Sequence, residues 1–279
     1  MTRTGFRFRL ILPLLALAVL AACARGPRDD LPLEQFTAAE IYQRGEYELA
    51  RNRPDDAARY FGEVERLYPY SEWAMRALIM QAYSYQQDGD YENARASARR
   101  YLDFYPADKD AAYAQYLVAL SYYDQMDDIG RDQAVILGAL QELRKVIERY
   151  PDSEYAKSAR LKFDLAFDRL GGKEMEVGRY YLKRGYYAAA INRFRNVVED
   201  FQTTTNTPEA LYRLVEAYLA LGLDEEAQAA GAILGKNFRS TEWYQDAYVL
   251  LTGKGLRPLA EGDSWLAKIY RQMLRGEWL

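Results

Sequence analysis

Chemistry needs side chains that carry protons, attack or bind metals, and the 279 residues offer few of them. Histidine is absent and cysteine occurs once, at Cys23. That removes His-dependent triads, His or Cys zinc sites, redox pairs and internal disulfides together. A hydrolase built on carboxylates alone would need two acids facing each other about 5–9 Å apart. The acids Asp127, Asp128 and Asp132 lie close in sequence but read as solvated loop charge. Asp224-Glu225-Glu226 sits where a helix begins, and a helix N-terminus favours acids. Arg99-Arg100 and Arg144-Lys145 read as solvated helix faces. The pattern calls for no catalytic residue, no metal and no cofactor. With 37 basic against 41 acidic side chains, the net charge of −4 also argues against nucleic acid as a partner. What the chain has in quantity is tyrosine, 25 in all, whose apolar ring and polar tip suit reversible recognition of peptide segments.

Cys23 gains meaning from what precedes it. Arg3, Arg7 and Arg9 form a basic leader, and Leu10 to Leu20 is an apolar run of 11 residues. That run is too short to span a bilayer, which takes about 20 residues, but it suits the core of a secretory signal. It ends in Leu20-Ala21-Ala22-Cys23, which looks like the lipobox of a bacterial lipoprotein. Cleavage after residue 22 would leave Cys23 as a terminus carrying a diacylglycerol and an acylated amine, and two or more acyl chains hold a protein stably where one holds it marginally. Ala24, in place of Asp, would by the enterobacterial lipoprotein pattern imply sorting to the outer membrane. Loss of 1–22 removes three arginines and no acid, so the mature chain carries −7. Residues 23–36 then read as the lipidated Cys and a tether, with Pro27 and Pro32 and no apolar period.

The elements that must position everything else are helices in a repeat. Ala57, Ala94, Ala139, Ala190 and Ala227 are each followed eleven residues later by an aromatic: Tyr68, Tyr105, Tyr150, Phe201 and Phe238. Four after each Ala come Phe61, Ala98, Leu143, Phe194 and Gly231. The registers step by 37, 45, 51 and 37, as a unit of 37 with two inserted segments would give. Upstream partner helices carry a small residue and a Tyr three on: Ala82 and Tyr85, Ala119 and Tyr122, Gly178 and Tyr181. Glycine turns at Gly89, Gly185 and Gly222 separate the members of a pair. Ser71-Glu72-Trp73, Ser153-Glu154-Tyr155 and Thr241-Glu242-Trp243 read as helix restarts, a hydroxyl cap followed by an acid. The pattern resembles the tetratricopeptide repeat. The expected fold is all-α, a TPR-like α-solenoid of about five helix-turn-helix repeats with a C-terminal capping helix near 263–275. Residues 127–135 read as an insertion. Residues 153–184 read as one long helix or two, according to whether Gly171-Gly172 breaks or only kinks it.

In such an array the first helix of each pair lines a groove. Tyr113, Tyr116, Leu120 and Tyr123 share one face of the third such helix, and Tyr42 and Tyr83 occupy comparable places in the first two. These are the candidate peptide-binding side chains. The Tyr113/Tyr116/Tyr123 stripe reads equally well as packing between repeats, and any single Tyr reads better so, as Tyr68, Tyr105 and Tyr150 do at least in part.

Certain stretches go beyond a generic repeat: Arg66-Leu67-Tyr68-Pro69-Tyr70, Arg149-Tyr150-Pro151-Asp152-Ser153-Glu154-Tyr155, and Glu176 to Gly185 continuing through Ile191-Asn192-Arg193. With the lipobox, they give a mature chain that resembles the BamD (YfiO/ComL) family of outer-membrane assembly lipoproteins. The resemblance implies a non-enzymatic scaffold on the periplasmic face of the outer membrane, within the β-barrel assembly machine. The C-terminal repeats (153–252) would hold the last POTRA domain of BamA, with other lipoproteins of the complex alongside. The N-terminal repeats (37–152) would receive unfolded barrel proteins through their C-terminal β-signal. Arg193, with Asn192, matches the family's BamA contact, and Tyr68 matches a tyrosine implicated in substrate recognition. The stretch 253–279 runs longer than the short tail of the enterobacterial member, which implies that a BamC-type partner would be absent or would dock differently. The alternative reading is a lipoprotein adaptor that recruits peptidoglycan enzymes.

Overall fold

The structure is a computed structural model and describes residues 32–126 and 133–275. Among these, every regular element is helical, with no strand. The helices are α1 (Ala38–Ala50), α2 (Pro54–Leu67), α3 (Glu72–Asp88), α4 (Tyr91–Phe104), α5 (Ala111–Tyr123), α6 (Gln133–Arg149), α7 (Glu154–Lys183), α8 (Tyr187–Asp200), α9 (Thr207–Leu221), α10 (Asp224–Asn237), α11 (Glu242–Gly253) and α12 (Trp265–Leu274). Two compact units divide between Gly89 and Asp90. In the first, α1, α2 and α3 pack on one another. In the second, each helix from α4 to α10 packs on its successor, and α5 reaches α7 while α9 reaches α11. Contact with the next helix and the next but one is the signature of a TPR-like solenoid. The cap forms where expected, with α12 packed on α10.

The repeat works because one joint is used five times. Tyr68, Tyr105, Tyr150, Phe201 and Phe238 each end a helix, their N–H bonding the carbonyl four residues back at 2.8–3.1 Å. Each closing carbonyl then accepts the N–H of the residue three on: Ser71, Asp108, Ser153, Thr204 and Thr241. Where that residue has a hydroxyl, it bonds the same carbonyl, at 2.7–2.9 Å. Ser71 and Thr241 also accept an N–H of the following helix, so one side chain ends one helix and starts the next. The five alanines of the register are fully buried. Positive φ at Gly89, Gly185 and Gly222 closes three of the intra-pair turns, and Asn52, at φ 58°, serves the first pair.

In the second repeat the joint has an acid, and the acid finds a use. Asp108 accepts the hydroxyl of the fully buried Tyr101 at 2.5 Å and the N–H of Asp110. The Tyr101 bond first, then the backbone N–H, holds the Asp108 carboxyl below the ordinary carboxylate range. A group whose pKa falls on folding stabilises the fold above its unfolded value, near 4, and loses that contribution as pH drops through the folded value. Tyr101→Phe should therefore cost about 1 kcal/mol at neutral pH, allowing for solvent screening at Asp108. The gap from the parent should narrow below about pH 4, as urea melts at both pH values would record.

The long helix α7 runs through Gly171-Gly172 without a break. A Cβ at Gly171 would meet Phe201 Cβ and Thr204 Oγ1 at 3.3 Å. The glycine therefore admits the α8–α9 joint, and that packing holds the helix together where propensity alone would weaken it.

Candidate partner and peptide sites

The third-repeat tyrosines do share a face, but that face meets α7. Tyr113 and Tyr116 lie 5.1 and 5.4 Å, centroid to centroid, from Tyr155, and the Tyr116 hydroxyl is 2.7 Å from Ser158 Oγ. The Lys162 ammonium stands 4.7 Å from the centre of the Tyr123 ring. Tyr155, Ser158 and Lys162 follow one another at helical spacing, so the stripe is a helix–helix seam and not a bare wall. Tyr116 is 9% exposed, and a ligand could reach only the half-buried rim residues Tyr113 and Tyr123. Tyr42 is buried in the same way, between Phe61 at 5.1 Å and Trp73 at 5.0 Å. Tyr212 meets Trp243 at 5.5 Å in the last repeat. Three of the joints thus clasp the preceding first helix with the aromatic of the Ser/Thr-Glu-aromatic restart. The reading of these motifs as caps missed this, although the spacing of 31 from Tyr42 to Trp73 and from Tyr212 to Trp243 carries the signal.

Tyr83 is half-buried on α3. Tyr68 donates its hydroxyl to the Phe36 carbonyl at 2.5 Å, which ties the segment before α1 to the end of α2. Its observed work is packing. Beside Tyr123 a cleft of about 570 Å³ opens, lined also by Leu165, Asp168, Arg169, Lys173 and Asn206. Asp168 there is already engaged, accepting from the Thr205 N–H and hydroxyl at 2.7 Å.

Arg193 sits on α8 facing α7. Its Nη1 lies 3.2 Å from Glu174 Oε2, which also accepts from Asn196 Nδ2 at 3.2 Å. Glu174 stands 19 residues upstream, and no local pattern announces it. Among the described residues only Nη1 of the guanidinium is engaged, and 41% of the side chain is exposed. An outward edge therefore stays available for a second carboxylate. Asn192 beside it is exposed. Cys23 with the segments 1–22 and 23–31, and Asp127, Asp128 and Asp132 of the insertion, lie outside the described residues. Among the described residues no helix is long and apolar enough to cross a membrane.

The helix pairs and their repeated joints define a class: an all-α repeat scaffold of the TPR-like kind. Residues 34–233 match the model of the YfiO family, described as outer membrane lipoprotein. A Caulobacter vibrioides protein named outer membrane protein assembly factor BamD is 47% identical over 252 residues, covering 90% of this chain and 83% of its own. Proteins of the same name from Rickettsia prowazekii and from Neisseria meningitidis serogroup A are 41% and 29% identical, covering 76% and 84% of this chain and 85% and 92% of theirs. The chain belongs to the YfiO family, the BamD assembly factors.

Proposed function

We propose that this chain is a non-enzymatic scaffold that assists the assembly of β-barrel proteins into the outer membrane as a member of the β-barrel assembly machine. The observation that carries this is the 47% identity, across nine-tenths of the chain, to a relative named as an outer membrane protein assembly factor. The chain is held at the periplasmic face by acyl groups on Cys23, with the stretch before α1 as tether. The C-terminal repeats dock the last POTRA domain of BamA, with other lipoproteins of the complex nearby. Unfolded barrel proteins engage the N-terminal repeats through their C-terminal β-signal, at Tyr83 and at the rims of Tyr113 and Tyr123, while Tyr116 packs in the seam beside Tyr113 and Tyr42 and Tyr68 pack the first repeat.

The docking contact is Arg193 with Asn192. Glu174 fixes the guanidinium through Nη1, and a POTRA carboxylate takes the outward edge. Arg193→Glu places like charges against Glu174 and against the partner. It should weaken binding of the full chain, in detergent micelles, to the cognate last POTRA domain at least tenfold, about 1.4 kcal/mol. Calorimetry would measure it. Binding that ignores the substitution keeps the assembly role and discards the contact. No binding by the parent chain discards the role and favours the peptidoglycan adaptor.

A further inference from the structure

A second groove lies on α6, α7 and the end of α8, where none of the tyrosine rims or Arg193 is found. It encloses about 450 Å³, within the range of sites that take a ligand's side chains. Its floor is Leu140 and Leu170, both 8% exposed. One wall is Phe163 stacked on Phe167, with centroids 5.9 Å apart and planes at 17°, and Phe201 lies 5.0 Å beyond. At the rim stands Leu137, 54% exposed on α6, an apolar side chain left in water beside an apolar slot.

The charges at the two ends differ. At the Phe163 end lies Arg144, its guanidinium carbon 5.5 Å from the centre of the ring. Arg160 is exposed one turn before Phe163 on the same face of α7. Among the described residues neither guanidinium has an ion-pair or hydrogen-bond partner, although Glu148 and Asp164 each stand four residues on from one of them. Arg51, Arg53, Arg59, Arg66, Arg99, Arg179, Arg193, Arg195 and Arg213 all pair. At the far end stands Asp200.

We infer that this groove docks a short apolar peptide segment of a partner protein, with a carboxylate seated at Arg144 and Arg160. The apolar slot takes alternate or successive hydrophobic side chains, Leu137 folds over them, and the guanidiniums accept one acid in the orientation that Asp200 enforces by repelling a second. The carboxylate is an acidic side chain within the segment.

The test is fluorescence anisotropy with the full chain in detergent micelles and labelled ten-residue peptides. One carries Leu, Phe and Leu at alternate positions after a Glu and is amidated. A second has Gln for that Glu and places its free carboxylate at the same end. A third has Lys for Glu. The expected result is that the Glu peptide binds at least tenfold more tightly than the Lys peptide and more tightly than the free-carboxylate peptide; tighter binding of the free-carboxylate peptide would overturn the assignment. Arg144→Glu and Leu137→Asp should each remove at least tenfold of that affinity. Both positions are exposed, and unchanged circular dichroism melts would show that both variants fold. Equal affinity for the Glu and Lys peptides, or binding untouched by both substitutions, would overturn the assignment. So would sedimentation showing a dimer of this chain that Leu137→Asp dissolves, since the slot would then belong to a second copy.

Discussion

Phe194→Ala should destabilise the 90–279 unit by about 3–5 kcal/mol, and in that background Gly178→Ala should change from harmful to helpful. Phe194 lies on α8 with none of its side chain in water, in a core with Met175, Val197, Leu211 and Leu214. Its ring fills the space above Gly178 on α7: a Cβ there would press on Phe194 Cε1 and come within 2.8 Å of Cδ1. Neither can change alone. Truncating the ring opens a cavity that rigid helices cannot close. Adding a methyl at Gly178 in the parent forces the ring aside at a cost of about 1–3 kcal/mol, of which about 1 kcal/mol returns as helix propensity. With the ring gone the clash vanishes, the propensity gain remains, and the methyl fills part of the cavity. Gly178→Ala should then stabilise by up to about 1 kcal/mol. The second repeat already carries the small pair at this register, Ala82 and Ala98, and the first carries the large one, with Phe61 Cε1 2.7 Å from where a Gly45 Cβ would sit. Denaturant melts of the two single variants and the double variant decide it. Simple additivity would mean that ring and glycine do not share one space.

That coupled pair also marks what could be read in the chain before its structure. The register of Ala57 to Ala227 and the closing aromatics repeats because each joint satisfies the same backbone carbonyl with the N–H three residues on, four of the five adding a hydroxyl, and local chemistry at fixed spacing leaves a trace in sequence. The glycine turns and the Ser and Thr restarts were legible for the same reason. The candidate sites were less so. Spacing places Tyr113, Tyr116 and Tyr123 on one face, but which helix that face meets is decided by the packing of α5 on α7, and the answer buries Tyr116 against Ser158. Glu174 and Arg193 lie on different helices, so their pairing follows from how α7 and α8 cross and not from any motif. Gly171-Gly172 read as a weak point because propensity is local, whereas the Phe201–Asn206 segment that supports the helix lies thirty residues downstream.

The same reasoning leads to Glu142, which no sequence pattern singled out. It is 6% exposed on α6 and accepts from Gln115 Nε2 of α5 at 2.9 Å, from Arg99 Nη2 of α4 at 3.3 Å and from Lys145 Nζ at 3.0 Å. One carboxylate thereby joins three successive helices. Glu142→Ala should cost about 2–4 kcal/mol. The Arg99 and Lys145 side chains are half and two-fifths exposed, so they return to water at little expense. Gln115 is 4% exposed and cannot, so most of the loss is its stranded amide. It follows that Gln115→Leu combined with Glu142→Leu should recover most of the stability, because nothing polar is then left in the dry interior. Glu142→Ala and Gln115→Leu alone should each leave a partner unsatisfied and fare worse. The effect should also be local, since each repeat leans mainly on its neighbours. Hydrogen exchange of Glu142→Ala should speed in α4, α5 and α6 while α9 and α10 keep their protection. Tyr113 and Tyr123 ride on α5, so peptide engagement at those rims should weaken in this variant while docking at Arg193 on α8 persists. Loss of both together would mean that the unit unfolds as one body and that the Glu142 joint is not a local tie.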